Sequence, residues 1–398
     1  DADIIKCGSY TGNGSSTGPV VDLGFEPQWV MIKRTDTGGA GYNWFIFDAM
    51  RGMPVGGADQ YLSANLADAE AGSSERFKIT PTGFQLASTS GSFNSNGGTY
   101  IYMAIRRGTA VPTSATDVFA IDQENSSAPY YTSNFPVDMA FIRRKDNTSD
   151  WYLGSRLIQN RELVLNTTAA EGGASNNKFD YMDGWGAGAF AADVYSWMWK
   201  RAPKYMDVVA YTGTGSARTV SHNLGVAPEM IWFKSRDAAE NWIVYAEPLG
   251  ATKGLYLNAT NAAITSPGVV NDTSPTDSVF TTSAAAFTNV SGQDFIAYLF
   301  ASLDGISKIG SVTHSGTTNV DCGFSSGARF VLLRRTDAAG DWYVWDSERG
   351  IVSGNDPYLL LNTTGAEVTN TDYIDPLSSG FTITSSFTAG DYIFYAIA

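Results

Sequence analysis

The sequence contains few of the residues that usually cross-link a chain or bind a metal. Its 398 residues include two cysteines, Cys7 and Cys322, and two histidines, His222 and His314. The cysteines lie in the first and last thirds of the chain, so a local disulfide framework is excluded. The histidines do not have the spacing of metal ligands. We therefore predict no metal site and no cofactor, and a fold that is stabilised by packing.

Other absences argue against whole classes of function. A formal net charge of −14 would repel nucleic-acid phosphates, so we expect no nucleic-acid partner. No apolar run approaches the roughly 20 residues of a membrane-spanning helix, and we expect no membrane insertion. The chain also lacks G-x-S-x-G, H-E-x-x-H, a phosphate-binding loop and the E-x-D-x-E pattern of sandwich-fold glycanases. We predict that the protein is not an enzyme and has no catalytic residues.

One hairpin pattern occurs four times. In each copy, a strand that ends near basic residues and an aspartate leads through a turn to an aromatic strand. The copies are KRTDTGGAGYNWFIFD at 33–48, RRKDNTSDWYLGS at 143–155, KSRDAAENWIVYA at 234–246 and RRTDAAGDWYVWD at 334–346. The matched tryptophans Trp44, Trp151, Trp242 and Trp342 are 107, 91 and 100 positions apart. We infer four tandem repeats.

The repeats are predicted to be all-β domains of about 90–105 residues. Short apolar runs rich in Val, Ile, Tyr, Phe and Trp alternate with clusters of turn residues, which is typical of β-sandwiches. We place repeat 1 at 1–108, repeat 2 at 109–203, repeat 3 at 204–303 and repeat 4 at 304–398. Each should be a β-sandwich of the jelly-roll or lectin-like kind. The connectors are too short to be free linkers, so neighbouring repeats should touch.

The hairpin strands are apolar on both faces. Their first strands read WVMI, MAFI, MIWF and FVLL. In a two-layer sandwich, each sheet has one face in the core and one in water, so its strands usually alternate between apolar and polar residues. A buried tryptophan removes about 150–250 Å² from water. An uncovered row of such residues would be a strong aggregation surface. We infer that the second face packs on an adjacent repeat or on another chain.

Several polar residues recur at matched positions. Two sets are interpreted as turn residues: the aspartates Asp36, Asp146, Asp237 and Asp337, and the asparagines Asn65, Asn166, Asn258 and Asn362. Binding of Ca²⁺ or of a sugar hydroxyl is the alternative for the aspartates. The pairs Asp48–Arg51 and Asp346–Arg349 predict structural ion pairs, and the basic pairs Arg143–Arg144 and Arg334–Arg335 are interpreted as solvated strand ends.

Aromatic residues on loops are the best candidates for ligand contact, because the apolar C–H faces of sugars stack on aromatic rings. Repeat 1 presents Tyr42 at its hairpin tip, and repeat 2 presents Tyr130, Tyr131 and, in the glycine-rich stretch 182–190, Trp185. The alternative for each residue is local packing or a contact between subunits.

The run YTGNG…LGFEPQWVMIKRTD…NWFIFDAMRG…YLSANLADAE…GFQL…TYIYMAIR in repeat 1 resembles a repeat of tail, fibre and other appendage proteins of tailed bacteriophages, especially marine ones. Repeats 1 and 4 match all of these positions, repeat 3 has EPLG where SVRG is expected, and repeat 2 is the most divergent. That family has no established catalytic residues, so none are carried over. The resemblance implies a structural role in the virion and recognition of a host surface.

We therefore expect a non-catalytic structural component of a phage virion, in a tail or fibre, that contacts host cell-surface polysaccharide through repeated weak contacts. Its expected partners are other virion proteins and copies of itself, with a homotrimer as the expected assembly. One alternative is an architectural decoration or baseplate-bridging protein without a ligand. Another is a polysaccharide-degrading tail enzyme, which would need a cleft with paired carboxylates.

Overall fold

The computed structural model describes residues 3–174, 176–186, 188, 193–265 and 268–398. The protein is 40% strand and 3% helix, so the predicted all-β fold class is confirmed. Within these residues all sheets are antiparallel and form four consecutive β-sandwich units, each with a large sheet of five or six strands and a small sheet of two or three. No helix within the described residues is both long and apolar enough to span a membrane.

Repeats 1 and 4 have the same strand order. The elements of repeat 1 are β1 (Ile5–Thr11), β2 (Val20–Asp22), β3 (Pro27–Arg34), β4 (Phe45–Asp48), β5 (Leu62–Ser63), β6 (Phe77–Thr80), β7 (Gly83–Leu86), α1 (Gly91–Asn94) and β8 (Thr99–Arg106). Its large sheet has the order β1-β8-β3-β4-β5 and its small sheet the order β2-β7-β6.

Repeats 2 and 3 have larger first sheets and two-stranded small sheets. Repeat 2 contains β9 (Phe119–Gln123), β10 (Tyr131–Thr132), β11 (Met139–Arg144), β12 (Tyr152–Ser155), β13 (Arg161–Val164), β14 (Gly172–Gly173), β15 (Gly184–Trp185) and β16 (Val194–Trp199), with 3₁₀ turns at Ala115–Asp117 and Arg156–Ile158. Its sheets are β14-β13-β12-β11-β16-β9 and β10-β15.

Repeat 3 contains β17 (Met206–Thr212), β18 (Arg218–Ser221), β19 (Met230–Ser235), β20 (Ile243–Ala246), β21 (Lys253–Tyr256), β22 (Ile264–Thr265), β23 (Val279–Thr282) and β24 (Asp294–Phe300), with a 3₁₀ turn at Glu247–Leu249. Its sheets are β17-β24-β19-β20-β21-β22 and β18-β23.

Repeat 4 contains β25 (Ser307–His314), β26 (Thr318–Asp321), β27 (Phe330–Arg335), β28 (Trp342–Asp346), β29 (Leu359–Leu360), β30 (Ile374–Leu377), β31 (Gly380–Ile383) and β32 (Gly390–Ile397). Its sheets are β25-β32-β27-β28-β29 and β26-β31-β30.

Two glycines allow the strands of the small sheet to approach closely. A Cβ atom on Gly83 would lie 2.0 Å from the Val21 carbonyl oxygen, and one on Gly380 would lie 2.1 Å from the Val320 carbonyl oxygen. Only glycine fits at these positions, which explains why a Gly-Phe pair begins β7 and β31.

Alternation along the hairpin strands produces two apolar faces, as predicted. In repeat 4, Val331 and Leu333 lie in the core between the two sheets, whereas Phe330 and Leu332 lie on the opposite side of the large sheet. We call the side that faces the small sheet the inner face and the opposite side the outer face. Each repeat has its own inner core.

The outer faces of repeats 2, 3 and 4 pack together in one central core. Their first hairpin strands contribute the buried residues Phe141, Trp232 and Leu332. Aromatic rings meet across the repeat boundaries, with ring centroids 5.6 Å apart for Trp199 and Phe330 and 5.1 Å apart for Phe300 and Tyr395. The prediction that the second face packs on other repeats is confirmed for these three repeats.

Repeat 1 lies beside this core and contributes only Val55 to it within the described residues. The Val55 amide donates to the Leu157 carbonyl at 2.8 Å, and the Val55 carbonyl accepts from Arg236 Nη1 at 2.6 Å. Repeat 1 is therefore attached to repeats 2 and 3 through a loop, and the outer face of its large sheet is not part of the central core.

Candidate functional sites

The hairpin tryptophans of repeats 2, 3 and 4 connect these repeats in a closed cycle. Each indole Nε1 donates to a main-chain carbonyl of another repeat at 2.9 Å: Trp151 to Leu360, Trp342 to Tyr256 and Trp242 to Val164. Repeat 2 thus contacts repeat 4, repeat 4 contacts repeat 3, and repeat 3 contacts repeat 2. We call this arrangement the three-repeat ring.

Main-chain hydrogen bonds follow the same cycle. The accepting carbonyl belongs to the third residue of the basic segment at the end of the first hairpin strand in one repeat. The donating amide belongs to the residue five positions after the repeated asparagine in the next repeat. The pairs are Glu367 N to Lys145 O at 2.8 Å, Ala263 N to Thr336 O at 3.0 Å and Glu171 N to Arg236 O at 2.8 Å. The three interfaces of the ring are therefore built alike.

A buried cation completes each interface. Arg143 donates to the carbonyl of Thr364 at 2.7 Å, Lys234 donates to that of Thr168 at 3.0 Å, and Arg334 donates to that of Asn261. Burial lowers the pKa of Arg143 and Arg334 to about 10 and that of Lys234 to about 8.

The interpretation of the basic pairs as solvated strand ends is therefore wrong for one member of each pair. Arg143 and Arg334 are buried in the three-repeat ring, whereas their neighbours Arg144 and Arg335 lie on the other side of the strand and bind Asp193 and Asp337. The reason is alternation along the strand, which places adjacent residues on opposite faces.

The repeated asparagines lie in turns, as predicted, and their side chains in addition connect the hairpin to the strand after it. Their Oδ1 atoms accept from the tryptophan main-chain amides at 2.8–2.9 Å, in the pairs Asn65–Trp44, Asn166–Trp151, Asn258–Trp242 and Asn362–Trp342. Their Nδ2 atoms donate to the side chains of Asn43, Asp150, Asn241 and Asp341 at 2.8–3.1 Å. Each asparagine therefore holds its tryptophan in position, 15 to 21 residues away in the sequence.

The hairpin aspartates have partners within their own repeats. Asp36 binds Arg34 and Asp337 binds Arg335, both at 2.7 Å, and these arginine hydrogen bonds lower the pKa of both aspartates. Asp237 accepts from the Asp294 amide at 2.6 Å. These contacts stabilise the strand ends.

The predicted structural ion pairs are confirmed. Arg51 Nε donates to Asp48 and Arg349 Nε donates to Asp346, both at 2.6 Å. The second pair is fully buried, and Asp346 also accepts from Trp197 Nε1 of repeat 2 at 3.0 Å. This pair thus belongs to the contact between repeats 2 and 4.

A buried ion-pair network fixes repeat 1 on the other repeats. Arg201 lies 2.6 Å from Glu26 of repeat 1 and 2.7 Å from Asp207 of repeat 3, and Arg107 lies within 3.7 Å of both carboxylates. Burial opposes the charge on Arg201, but Asp207 and Glu26 raise its pKa overall. A cavity of about 290 Å³ adjoins this network.

Two of the four candidate ligand-binding aromatics lie inside repeat 2. Tyr131 and Trp185 are 0% and 1% exposed, pair in the β10–β15 sheet and stack with ring centroids 5.4 Å apart. The expectation that they are exposed on flexible loops is wrong, because the glycine-rich stretch forms a strand against β10. Residues 187, 189 and 190 of that stretch lie outside the described residues.

The other two candidates, Tyr42 and Tyr130, are half-buried. The ring of Tyr42 lies 5.2 Å from the Arg34 guanidinium carbon, and the Tyr42 carbonyl accepts from Lys33 Nζ. The Tyr130 amide donates to the Gly186 carbonyl at 3.3 Å. Both side chains keep part of their surface open to a ligand.

A groove of about 210 Å³ lies beside the Tyr42 loop in repeat 1, and sequence reasoning missed it. Its lining includes the aromatic residues Tyr61 and Phe93 and the polar residues Asn43, Asp68 and Ser92. Ser92 Oγ donates to the Gly41 carbonyl at 2.8 Å, which ties α1 to the hairpin tip. The available sequence signal was the insertion before Asn43, which repeats 2, 3 and 4 lack.

Both histidines make structural contacts. His222 Nε2 lies 3.2 Å from the Thr276 carbonyl, and His314 Nδ1 lies 3.0 Å from Thr318 Oγ1. Burial lowers the pKa of His222. Within the described residues, no group of three or more His, Cys, Asp or Glu side chains could hold a metal ion.

Residues 4–107 and 200–398 match the model of a family described as a domain of unknown function, DUF7483. The chain belongs to this family. No curated protein and no solved structure was found to match it. The family match spans repeats 1, 3 and 4, and it leaves out residues 108–199, which are nearly all of repeat 2.

Repeat 2 nevertheless has the same place in the three-repeat ring as repeats 3 and 4. It supplies the indole donor Trp151, the asparagine Asn166 that holds it, and the buried cation Arg143. The residues that connect repeats are therefore present even where the rest of the repeat has diverged from the family pattern.

Proposed function

We propose that the chain is a non-catalytic structural component of a bacteriophage virion, located in a tail or fibre. The three-repeat ring carries this proposal. The residues that recur in repeats 2, 3 and 4 (the tryptophans, the asparagines and the basic strand ends) bind neighbouring repeats or hold the residues that do. A motif whose recurring residues bind neighbouring repeats is suited to building an assembly. The resemblance to phage appendage repeats supports a virion as the place of that assembly.

Labelling of intact particles tests the location. Virions of the phage that encodes the chain would be incubated with gold-labelled antibody against it and viewed by electron microscopy. We expect label on the tail or its fibres. Label at the capsid alone, or purified virions without the chain, would contradict the proposed location.

We further propose that the loop aromatics contact a host-surface glycan. The support is the groove in repeat 1, which combines aromatic rings with an amide, a carboxylate and a hydroxyl, the groups that bind sugars. Tyr42 lies between Gly41 and Asn43, which both line the groove, and Tyr130 of repeat 2 is a second half-buried aromatic residue. Several weak sites on one particle would gain affinity through multivalency.

Binding to a panel of bacterial surface polysaccharides tests this part. We expect saturable binding by the purified chain that weakens in Tyr42→Ala, Tyr130→Ala and Asp68→Ala. The control is Val352→Ala, which changes a residue of repeat 4 that is 47% exposed and far from the groove in sequence. Binding that is unaffected by all three substitutions would contradict the proposed site.

The three-repeat ring equally favours an architectural decoration or baseplate-bridging protein without a ligand. That function predicts no binding to any polysaccharide of the panel, together with label on the virion. Release of reducing sugar from the same polysaccharides would instead point to a degrading enzyme and would contradict both proposals.

A further inference from the structure

The outer face of the large sheet in repeat 1 is apolar and open to solvent. Ile5 on β1 and Ile101 on β8 are 45% and 38% exposed, and Trp29 and Met31 on β3 are half-buried. Met31 lies opposite Met103 on β8, and alternation along both strands places Trp29 and Ile101 on the same side as this pair. An apolar face of this kind is typical of an interaction surface.

The corresponding face is buried in the other three repeats. When the repeats are aligned on their basic strand ends, Met31 takes the place of Phe141, Trp232 and Leu332, which all lie in the central core. Repeat 1 has thus kept the apolar face of a ring member, although the described part of its own chain does not cover that face.

Repeat 1 also has the polar groups of a ring contact. Trp44 matches the three indole donors, the Ser63 carbonyl matches the three acceptors, and the Glu70 amide matches the three main-chain donors. Asn65 already holds the Trp44 amide at 2.9 Å, as in the other repeats. Within the described residues, however, Trp44 Nε1 has no hydrogen-bond partner.

The ring contact is directional, which decides how many copies can satisfy it. One repeat supplies its tryptophan hairpin and the next supplies the segment after its asparagine, so each repeat uses two different surfaces. A twofold dimer pairs identical surfaces, whereas contacts between different surfaces close into a ring when the rotation permits. In repeats 2, 4 and 3 the rotation closes after three contacts.

We propose that the repeat 1 domains of three copies of this chain form a second ring of the same design, which makes the protein a homotrimer. Trp44 Nε1 donates to the Ser63 carbonyl of the next copy, and the Glu70 amide donates to a Thr35 carbonyl. This inference does not depend on the proposed function, because it follows from the open outer face, the unpaired Trp44 indole and the directional contact between repeats.

Cys7 provides a built-in reporter of this assembly. It is exposed and lies opposite Met103 on the outer face. The residues at its place in the other repeats are Ile121, Val208 and Ile309, and all three are buried in the central core. Assembly of three repeat 1 faces therefore buries Cys7, and Cys322 is already buried within repeat 4.

The first test measures mass in solution by sedimentation velocity at micromolar concentration. We expect three times the chain mass of 42.7 kDa for the unmodified protein and a monomer for Met31→Lys. Val352→Lys, which adds the same charge at an exposed site of repeat 4, should remain trimeric. Circular dichroism checks that each variant is folded, and Ile101→Asp replaces Met31→Lys if that variant does not fold.

The second test measures the rate at which a maleimide modifies Cys7. We expect the rate in Met31→Lys to exceed that in the unmodified protein by at least an order of magnitude, since burial restricts access of the reagent. A monomer or a dimer for the unmodified protein overturns the proposal. A trimer that persists in Met31→Lys and Ile101→Asp, or a Cys7 that reacts equally fast in all forms, overturns it as well.

Discussion

At the scale of single residues, the most informative position is the repeated asparagine. It accepts a hydrogen bond from the tryptophan amide with Oδ1 and donates one with Nδ2, as Asn362 does between Trp342 and Asp341. An amide side chain provides both a donor and an acceptor, whereas an ionised aspartate can only accept. This requirement explains why asparagine, and not aspartate, occurs at this position in every repeat.

Substitution of this residue tests whether it holds the tryptophan in position. Asn362→Ala leaves the Trp342 amide without its partner in a buried place, and we expect a loss of about 1–3 kcal/mol in the free energy of unfolding. Thr364→Ala, two residues later, removes an exposed side chain and should change the free energy by less than about 0.5 kcal/mol. Urea unfolding curves of both variants measure these changes. Equal losses in the free energy of unfolding would show that Asn362 does not hold Trp342 in position.

The buried cation Lys234 predicts a pH dependence. Its pKa is lowered from 10.5 to about 8 in the folded protein, because burial disfavours the charged form. Between about pH 8 and the ordinary pKa, the unfolded chain binds more protons than the folded chain at this site, so stability increases as the pH rises. Below pH 8 the cost of burying the charge is fully present.

The comparison that isolates this effect is with Lys234→Met, followed by urea unfolding from pH 7 to 10.5. We expect the stability of the unmodified protein relative to the variant to increase across that interval. Parallel pH profiles would mean that Lys234 has an ordinary pKa in the folded protein.

At the scale of elements, the first strand of the hairpin contributes side chains to two different hydrophobic cores. The adjacent residues Leu332 and Leu333 are both buried, the first in the central core and the second in the inner core of repeat 4. In an isolated two-layer sandwich, one of two neighbouring strand residues would face water. The consecutive apolar residues of this strand are therefore explained by the ring.

Truncation of each leucine tests this explanation. We expect Leu332→Ala and Leu333→Ala each to lower the free energy of unfolding by about 2–5 kcal/mol, the usual range for a buried leucine. The two losses should be similar, although the side chains point in opposite directions. A Leu332→Ala variant as stable as the unmodified protein would show that the outer face is not a core.

The elements were largely predictable from the sequence, but the loops were not. The all-β repeats follow from the spacing of Trp44, Trp151 and their equivalents, and the two-faced strands follow from consecutive apolar residues. The burial of Tyr131 and Trp185 was missed because glycines next to Trp185 suggested a loop, whereas they permit a close strand pair: a Cβ on Gly184 would lie 2.1 Å from the Tyr131 carbonyl oxygen.

At the scale of the whole molecule, the arrangement of the repeats determines which surface remains available. Repeats 2, 3 and 4 use their outer faces on one another, and repeat 1 is held at the side by the Arg201 network. The sequence indicates that both faces of each large sheet must be buried. It does not specify which repeats pack together, because contacts between residues so far apart in the sequence depend on the relative orientation of folded units. The buried Arg143 could have been anticipated from alternation along its strand.

Hydrogen exchange at four equivalent main-chain amides tests the central claim, that the repeats close a ring through equivalent contacts. The amides of Glu171, Ala263 and Glu367 donate across the three interfaces, and the Glu70 amide is the equivalent in repeat 1. The measurement is made by NMR on the Met31→Lys chain, in which the repeat 1 faces are kept apart. We predict slow exchange at Glu171, Ala263 and Glu367 and fast exchange at Glu70. Fast exchange at all four amides would contradict the three-repeat ring.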